Sequence, residues 1–105
     1  IDKGPLGTLF IESKRHILDF AEFNDEEVTS FGALARKIYA ALLPLVHAER
    51  IYQVSMMEGI PHFHAWVVPR TKDITEHGVA FLARDLTCTE EDAVKLAIAL
   101  REALK

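Results

Sequence analysis

The segment His62-Phe63-His64-Ala65-Trp66-Val67-Val68-Pro69 constrains the chain most, because its residues alternate as a strand with two different faces requires. Phe63, Ala65 and Val67 fall on one face, which is wholly apolar and suited to packing against helices. His62, His64 and Trp66 fall on the other. Two imidazoles side by side have no evident packing purpose, so this second face is the candidate site.

The rest of the chain supplies one domain around that strand. At 105 residues, half of them hydrophobic, it is large enough for one self-supporting core, and residues 1–105 are read as a single domain. A net charge of -4 lacks the basic footprint that binding to long nucleic acid demands, although one or two local cations suffice for a small phosphorylated ligand. The lone Cys88 has no partner for an internal disulfide, which points to a reducing compartment and to the cytoplasm. No apolar run approaches the length of a bilayer span, so no membrane partner is expected. The N-terminus lacks the order of a signal peptide, and the chain begins at Ile1 rather than Met.

Thr8 to Glu12 reads as a strand after the breakers Gly4-Pro5 and Gly7, with the basic trio Lys14-Arg15-His16 just beyond it. Asn24 and Glu27 form a capping-box pair, and Val28, Phe31, Leu34 or Ala35, Ile38 and Leu42 recur at helical spacing. These signals predict a helix over Asp25 to Leu43, ended or kinked by Pro44, although Leu45 and Val46 can continue its apolar stripe for part of a turn. Ile51 to Met57 predicts a second strand, joined to the histidine strand by a turn at Glu58-Gly59-Ile60-Pro61 in an antiparallel hairpin. Residues 71–86 read as a loop with a short strand or turn at Val79-Ala80-Phe81-Leu82. Thr89 followed by Glu90, Glu91 and Asp92 starts a last helix, with Ala93, Leu96, Ala97, Leu100 and Leu104 as its apolar stripe. The expected class is α+β: an antiparallel sheet with helices on one face and the histidine face left open.

Two histidines two residues apart on a strand allow three readings: a metal pair, a nucleophile with a supporting group, or a structural pair satisfied by backbone. A zinc site needs further ligands, and His16, His47, His77, Cys88 and the carboxylates stand in no closely spaced ligand motif. His47 follows a helix end and is expected to cap it or face solvent, and His77 is expected in a solvated loop. Of Met56 and Met57, one is expected in the core and one partly exposed. Arg70, directly after the strand, suits either a phosphate contact or a salt bridge, and Lys14 and Arg15 can steer anions locally.

Taken together, Gly7-Thr8-Leu9-Phe10-Ile11-Glu12-Ser13-Lys14-Arg15-His16, the long helix, and His62-Phe63-His64-Ala65-Trp66-Val67-Val68-Pro69-Arg70 resemble the histidine-triad (HIT) superfamily in order and spacing, from Pro5 to Arg70. That resemblance implies a HIT-like α+β sheet and a nucleotide-binding phosphohydrolase of the diadenosine polyphosphate hydrolase kind. Its substrates would be nucleoside phosphoanhydrides or phosphoramidates, with no metal and no other cofactor. It makes His64 the nucleophile, assigns His62 and His16 to its support, and places Trp66, Lys14, Arg15 and Arg70 around the substrate. It also implies a cytoplasmic homodimer. A nucleotidyltransferase or phosphorylase of the same superfamily and a non-catalytic nucleotide sensor are the alternatives.

The chain departs from the family pattern in three places. Trp66 replaces the third histidine, which in relatives contacts the leaving-group side of the phosphate; transferase branches carry glutamine there. The turn Glu58 to Pro61 is short, and the Gln or Ser that relatives use for the leaving phosphate is not evident. The family's N-terminal hairpin, which helps to enclose the nucleoside, would precede Ile1.

Overall fold

The central strand of the sheet is the one that carries the histidines. The structure, a computed structural model, describes residues 4–56, 58 and 62–105. Its strands are β1 (Leu9–Glu12), β2 (Ala48–Val54) and β3 (His64–Thr71), arranged as an antiparallel sheet in the order β1-β3-β2. Leu9 faces Val67 and Glu12 faces His64 on one side of β3, while Tyr52 faces Val68 and Val54 faces Trp66 on the other. With neighbours on both edges, Ala65 and Val67 are removed from solvent altogether. The fold is α+β, as the element order implied.

The helices are α1 (Asp25–Leu45), α2 (Val79–Leu82) and α3 (Glu90–Ala103). The capping box is formed: Asn24 Oδ1 accepts from the Glu27 N–H, and Glu27 Oε1 accepts from the Asn24 N–H. Helix α1 continues through Pro44 rather than stopping before it. Proline so close to the end removes one intrahelical donor, while the Val46 N–H still reaches the Leu42 carbonyl at 3.0 Å, and Leu42 and Val46 are both buried. His47 follows the C-cap residue Val46 with a left-handed backbone (φ 54°), and of the two positions expected for it, capping the helix or facing solvent, it faces solvent.

The core forms where Ile11, Ala65 and Val67 of the sheet meet Ile38, Leu42 and Val46 of the α1 side, with Leu96, Leu100 and Leu104 of the α3 segment packed against it. Phe63, just ahead of β3, is buried against Phe20, Phe23 and Phe31, its ring centroid 4.8 Å from that of Phe23. The apolar face expected for Phe63, Ala65 and Val67 is therefore the core face. Of the stripe expected on α1, Ile38 and Leu42 are buried and Phe31 and Ala35 pack against the core, so that Ala35 rather than Leu34 is its member, while Val28 is exposed.

The bounds of β2 and the openness of the histidine face need correction. Strand β2 begins three residues earlier than Ile51 and ends at Val54, because it follows the helix end after a single turn at His47. Met56 lies beyond it, 74% exposed, while Met57 and residues 59–61 of the expected turn fall outside the described residues. Of the strand or turn expected at Val79–Leu82 the structure forms a helical turn, and it packs on the histidine side of the sheet, where Phe81 is 2% exposed and 5.6 Å from the Tyr52 ring. The histidine face is thus partly roofed rather than open. No helix among the described residues is long and apolar enough to cross a membrane.

Candidate active site

Pleating decides which side chains share the face opposite the core. Register puts Phe10 and Glu12 of β1, Tyr52 and Val54 of β2, and His64, Trp66, Val68 and Arg70 of β3 on that one side. Phe10 fills the space between the two motif residues, its ring centroid 4.0 Å from Trp66 and 5.6 Å from His64, edge-on to the imidazole. A cleft of about 540 Å³ opens over this surface, with His64, Trp66, Val54 and Val68 on the sheet side and Phe81 and Leu82 opposite. Trp66 therefore stands in the cleft beside His64, on the face that alternation assigned to it.

His64 is only 7% exposed, although its side chain lines the cleft. Its Nδ1 lies 3.0 Å from the carbonyl oxygen of His62. A carbonyl can only accept, so Nδ1 carries the proton and the neutral ring keeps its free lone pair on Nε2. The backbone at His64 is held in turn by the Ser55 hydroxyl, which donates to the His64 carbonyl at 2.7 Å. The chemistry this allows is nucleophilic attack by Nε2, with the cation formed on the ring stabilised through Nδ1–H.

The other two histidines form a separate pair. His62 precedes β3, and its Nε2 donates to the Ser13 carbonyl at 2.6 Å, while the Ser13 hydroxyl donates to the Arg15 carbonyl at 2.8 Å. The His16 ring meets the His62 ring edge to face at 5.4 Å. Residues 46 positions apart in sequence are thus in contact, and His62 is joined to His64 through its backbone carbonyl rather than its ring.

The cations expected around the substrate lie elsewhere. Arg70 is 3% exposed and turns away from the cleft: its Nη1 is 2.7 Å from a Glu49 carboxylate oxygen and its Nε donates to the Tyr52 hydroxyl at 3.2 Å. Of the two roles open to it, the salt bridge is the one the structure shows. Arg70 in turn holds the Glu49 carboxyl below its usual pKa. Arg15 grips Glu27 with two nitrogens, at 2.7 and 3.1 Å, and donates to the Glu22 carbonyl, which fastens the loop after β1 to the start of α1. Lys14 and Arg15 border a groove on the α1 side with Asn24 and Phe31, not the His64 cleft. Among the described residues, no three His, Cys, Asp or Glu side chains converge as a metal site would require.

Sequence reading missed Phe10, Ser55, Tyr52 and the segment from Gly78 to Leu86. Tyr52 ties that segment down: its hydroxyl accepts from the Gly78 N–H at 2.8 Å as well as from Arg70, and these donors lower its pKa, the Gly78 contact most. Alternation within Thr8 to Glu12 was enough to place Phe10 opposite Leu9 and Ile11; nothing local announced the partners of Tyr52.

No family model matches the sequence, and no curated protein does so either. Solved structures match it well. A histidine triad protein from Bradyrhizobium japonicum superposes with a TM-score of 0.84 at 12% identity, over 100% of this chain and 81% of that one. A histidine triad protein from Sinorhizobium meliloti gives 0.75 at 17% identity over 91% and 73% of the two chains. A zinc-bound histidine triad family protein from Mycobacterium smegmatis gives 0.70 at 22% identity over 97% and 75%. The chain has the fold of histidine triad proteins, and its structural neighbours are members of that family.

Proposed function

We propose that this protein is a nucleotide-binding phosphohydrolase that cleaves a nucleoside phosphoanhydride or phosphoramidate through a nucleotidyl-histidine intermediate. His64 Nε2 forms a bond to phosphorus as the bond to the leaving group breaks and its electron pair departs with that group. Water then attacks phosphorus, the pair of the N–P bond returns to Nε2, and a proton from the water passes to solvent. The observation that carries this reading is the 3.0 Å hydrogen bond from Nδ1 to the His62 carbonyl, which leaves Nε2 as a nucleophile in a side chain that lines the cleft. The likeness in fold to histidine triad proteins supports it.

In this reading His62 positions His64 through its backbone, His16 buttresses His62, and Trp66 contacts the substrate. Lys14, exposed at the far end of β1, contributes long-range attraction for an anion rather than a contact. The protein would act in the cytoplasm as a homodimer, which sedimentation of the purified chain tests directly. Mass spectrometry of protein mixed with dinucleoside polyphosphates and nucleoside phosphoramidates tests the chemistry: a mononucleotide adduct mapped to His64 is expected, and an adduct elsewhere overturns the assignment. The Trp66 indole in the cleft favours a second reading, a nucleotide sensor without turnover, which binding without an adduct across the same panel would select.

A further inference from the structure

The register of β2 against β3 slips at one point. Ala48 faces Thr71 and Arg50 faces Arg70, so two steps on β2 match one on β3, and Glu49 is the extra residue of a β-bulge. Ala48 and Ile51 consequently both pack against the core, although strict alternation would separate them. The bulge turns Glu49 toward Arg70, whose Nη1 lies 2.7 Å from its carboxylate. Arg70 Nε donates to the Tyr52 hydroxyl oxygen, and that oxygen also accepts the Gly78 N–H. A chain of polar contacts thus runs from the edge strand, through a guanidinium 3% exposed, to the segment 78–86 that walls the cleft. Gly78 is where the loop after β3 becomes α2. Its φ is +61° and a Cβ there would meet no atom within 4 Å, so it is backbone freedom that the position uses. Beyond it, α2 has four residues and one buried side chain, Phe81, while Val79 is 82% exposed. For so short an element, one hydrogen bond is a large share of what holds it in place.

We infer that Glu49, Arg70 and Tyr52 form a latch that seats the 78–86 wall on the sheet, which makes Tyr52 a positioning residue for the reaction at His64. This rests on the proposed binding of a nucleotide in the cleft. Tyr52 acts through the wall: its ring packs on Phe81 and its hydroxyl holds Gly78, while Phe81 and Leu82 face the ligand space. Molecules with the wall seated are the ones competent to bind, so apparent affinity falls in proportion to the seated fraction. His64 keeps its own supports, the His62 carbonyl and the Ser55 hydroxyl, and neither belongs to the latch. Weakening the latch therefore raises KM and spares kcat. A merely structural loss does the opposite, because it removes active molecules and lowers kcat at constant KM.

Tyr52→Phe keeps the ring against Phe81 and deletes the oxygen that accepts both bonds. Hydrolysis of adenosine 5′-phosphorimidazolide and amide hydrogen exchange followed by NMR read its effect. The expected result is a KM raised about threefold or more with kcat held within about twofold. Exchange at the Gly78 amide should quicken about threefold or more, while the Ala65 and Val67 amides of the middle strand keep their wild-type rates. Glu49→Gln, at a carboxylate 37% exposed, should raise KM by a smaller factor, and it serves as the test where Tyr52→Phe does not fold. The double variant should match Tyr52→Phe alone, because both residues act through one chain. A lower kcat at unchanged KM, or a double variant whose KM is the product of the two single effects, overturns the positioning role; unchanged exchange at Gly78 overturns the latch itself. If the wild type forms no His64 adduct with the phosphorimidazolide, the proposed chemistry and the positioning role fall together, and exchange at Gly78 decides the latch.

Discussion

Gly7 is the residue whose replacement separates backbone conformation from chemistry in this protein. It enters β1 with φ of +95°, and a Cβ built there meets Pro69 Cγ at 2.8 Å and Val46 Cγ1 at 3.3 Å. Pro69 is fully buried in the middle strand, so it has no room to retreat. A non-glycine residue in that backbone region costs about 1–2 kcal/mol, and forcing an atom into a filled core costs about 1–3 kcal/mol more. The alanine also narrows the unfolded ensemble, which offsets about 0.4–1 kcal/mol. Gly7→Ala is therefore expected to lose about 1–5 kcal/mol of stability.

Gly32 is the internal control. It lies within α1 with no atom inside 4 Å of its added Cβ, and alanine there should gain about 0.5–1 kcal/mol. Urea unfolding followed by the fluorescence of the single tryptophan, Trp66, reads both variants. With an m-value of about 1–2 kcal/mol/M, a mid-range loss lowers the Gly7→Ala midpoint by about 1–2 M, while Gly32→Ala raises it. Equal midpoints for Gly7→Ala and wild type would refute both the φ argument and the contact with Pro69.

Other outcomes follow from the site and its supports. His64→Asn should reduce turnover by about three orders of magnitude or more and abolish the nucleotide adduct, as judged by steady-state assay and mass spectrometry; wild-type hydrolysis would remove His64 from the mechanism. Saturation with a bound nucleotide should change Trp66 fluorescence, since its indole lines the cleft, and Trp66→His should speed cleavage of substrates with strongly basic leaving groups by supplying an acid. The Arg15 guanidinium, with help from the Asn24 N–H, holds the Glu27 carboxyl below its usual pKa, so its contribution is full above the unfolded value near about 4.3 and is lost as pH falls through the folded one. Urea midpoints of wild type and Glu27→Gln should accordingly differ at neutral pH and converge in acid; a constant gap would refute the coupling. Chelator treatment should leave nucleotide binding and turnover intact, and activity restored stoichiometrically by zinc would favour a metal role instead.

Local rules read much of the fold. The capping box at Asn24, the cap at Thr89 and the alternation of β3 each depend on residues within a few positions of one another, and the structure contains all three. The same locality left two outcomes open at Pro44, and burial of Leu42 and Val46 goes with the one the structure takes, a helix continued to Leu45 despite one missing hydrogen bond. At the site, alternation placed His64 and Trp66 on one face because the side-chain period of a strand is a property of the backbone alone.

What the sequence determined by itself, then, was the element order and the apolar and histidine-bearing faces of β3. The tertiary structure decided how charge and space are distributed around it. Arg15 and Arg70 each carry five N–H donors, and the chain sequence does not say whether a phosphate or a carboxylate will satisfy them; packing brought Glu27 to one and Glu49 to the other. Gly78 to Leu86 has no periodicity that assigns it a face, and it roofs the histidine side because Phe81 finds its burial against Tyr52, a contact 29 residues away that no local pattern encodes.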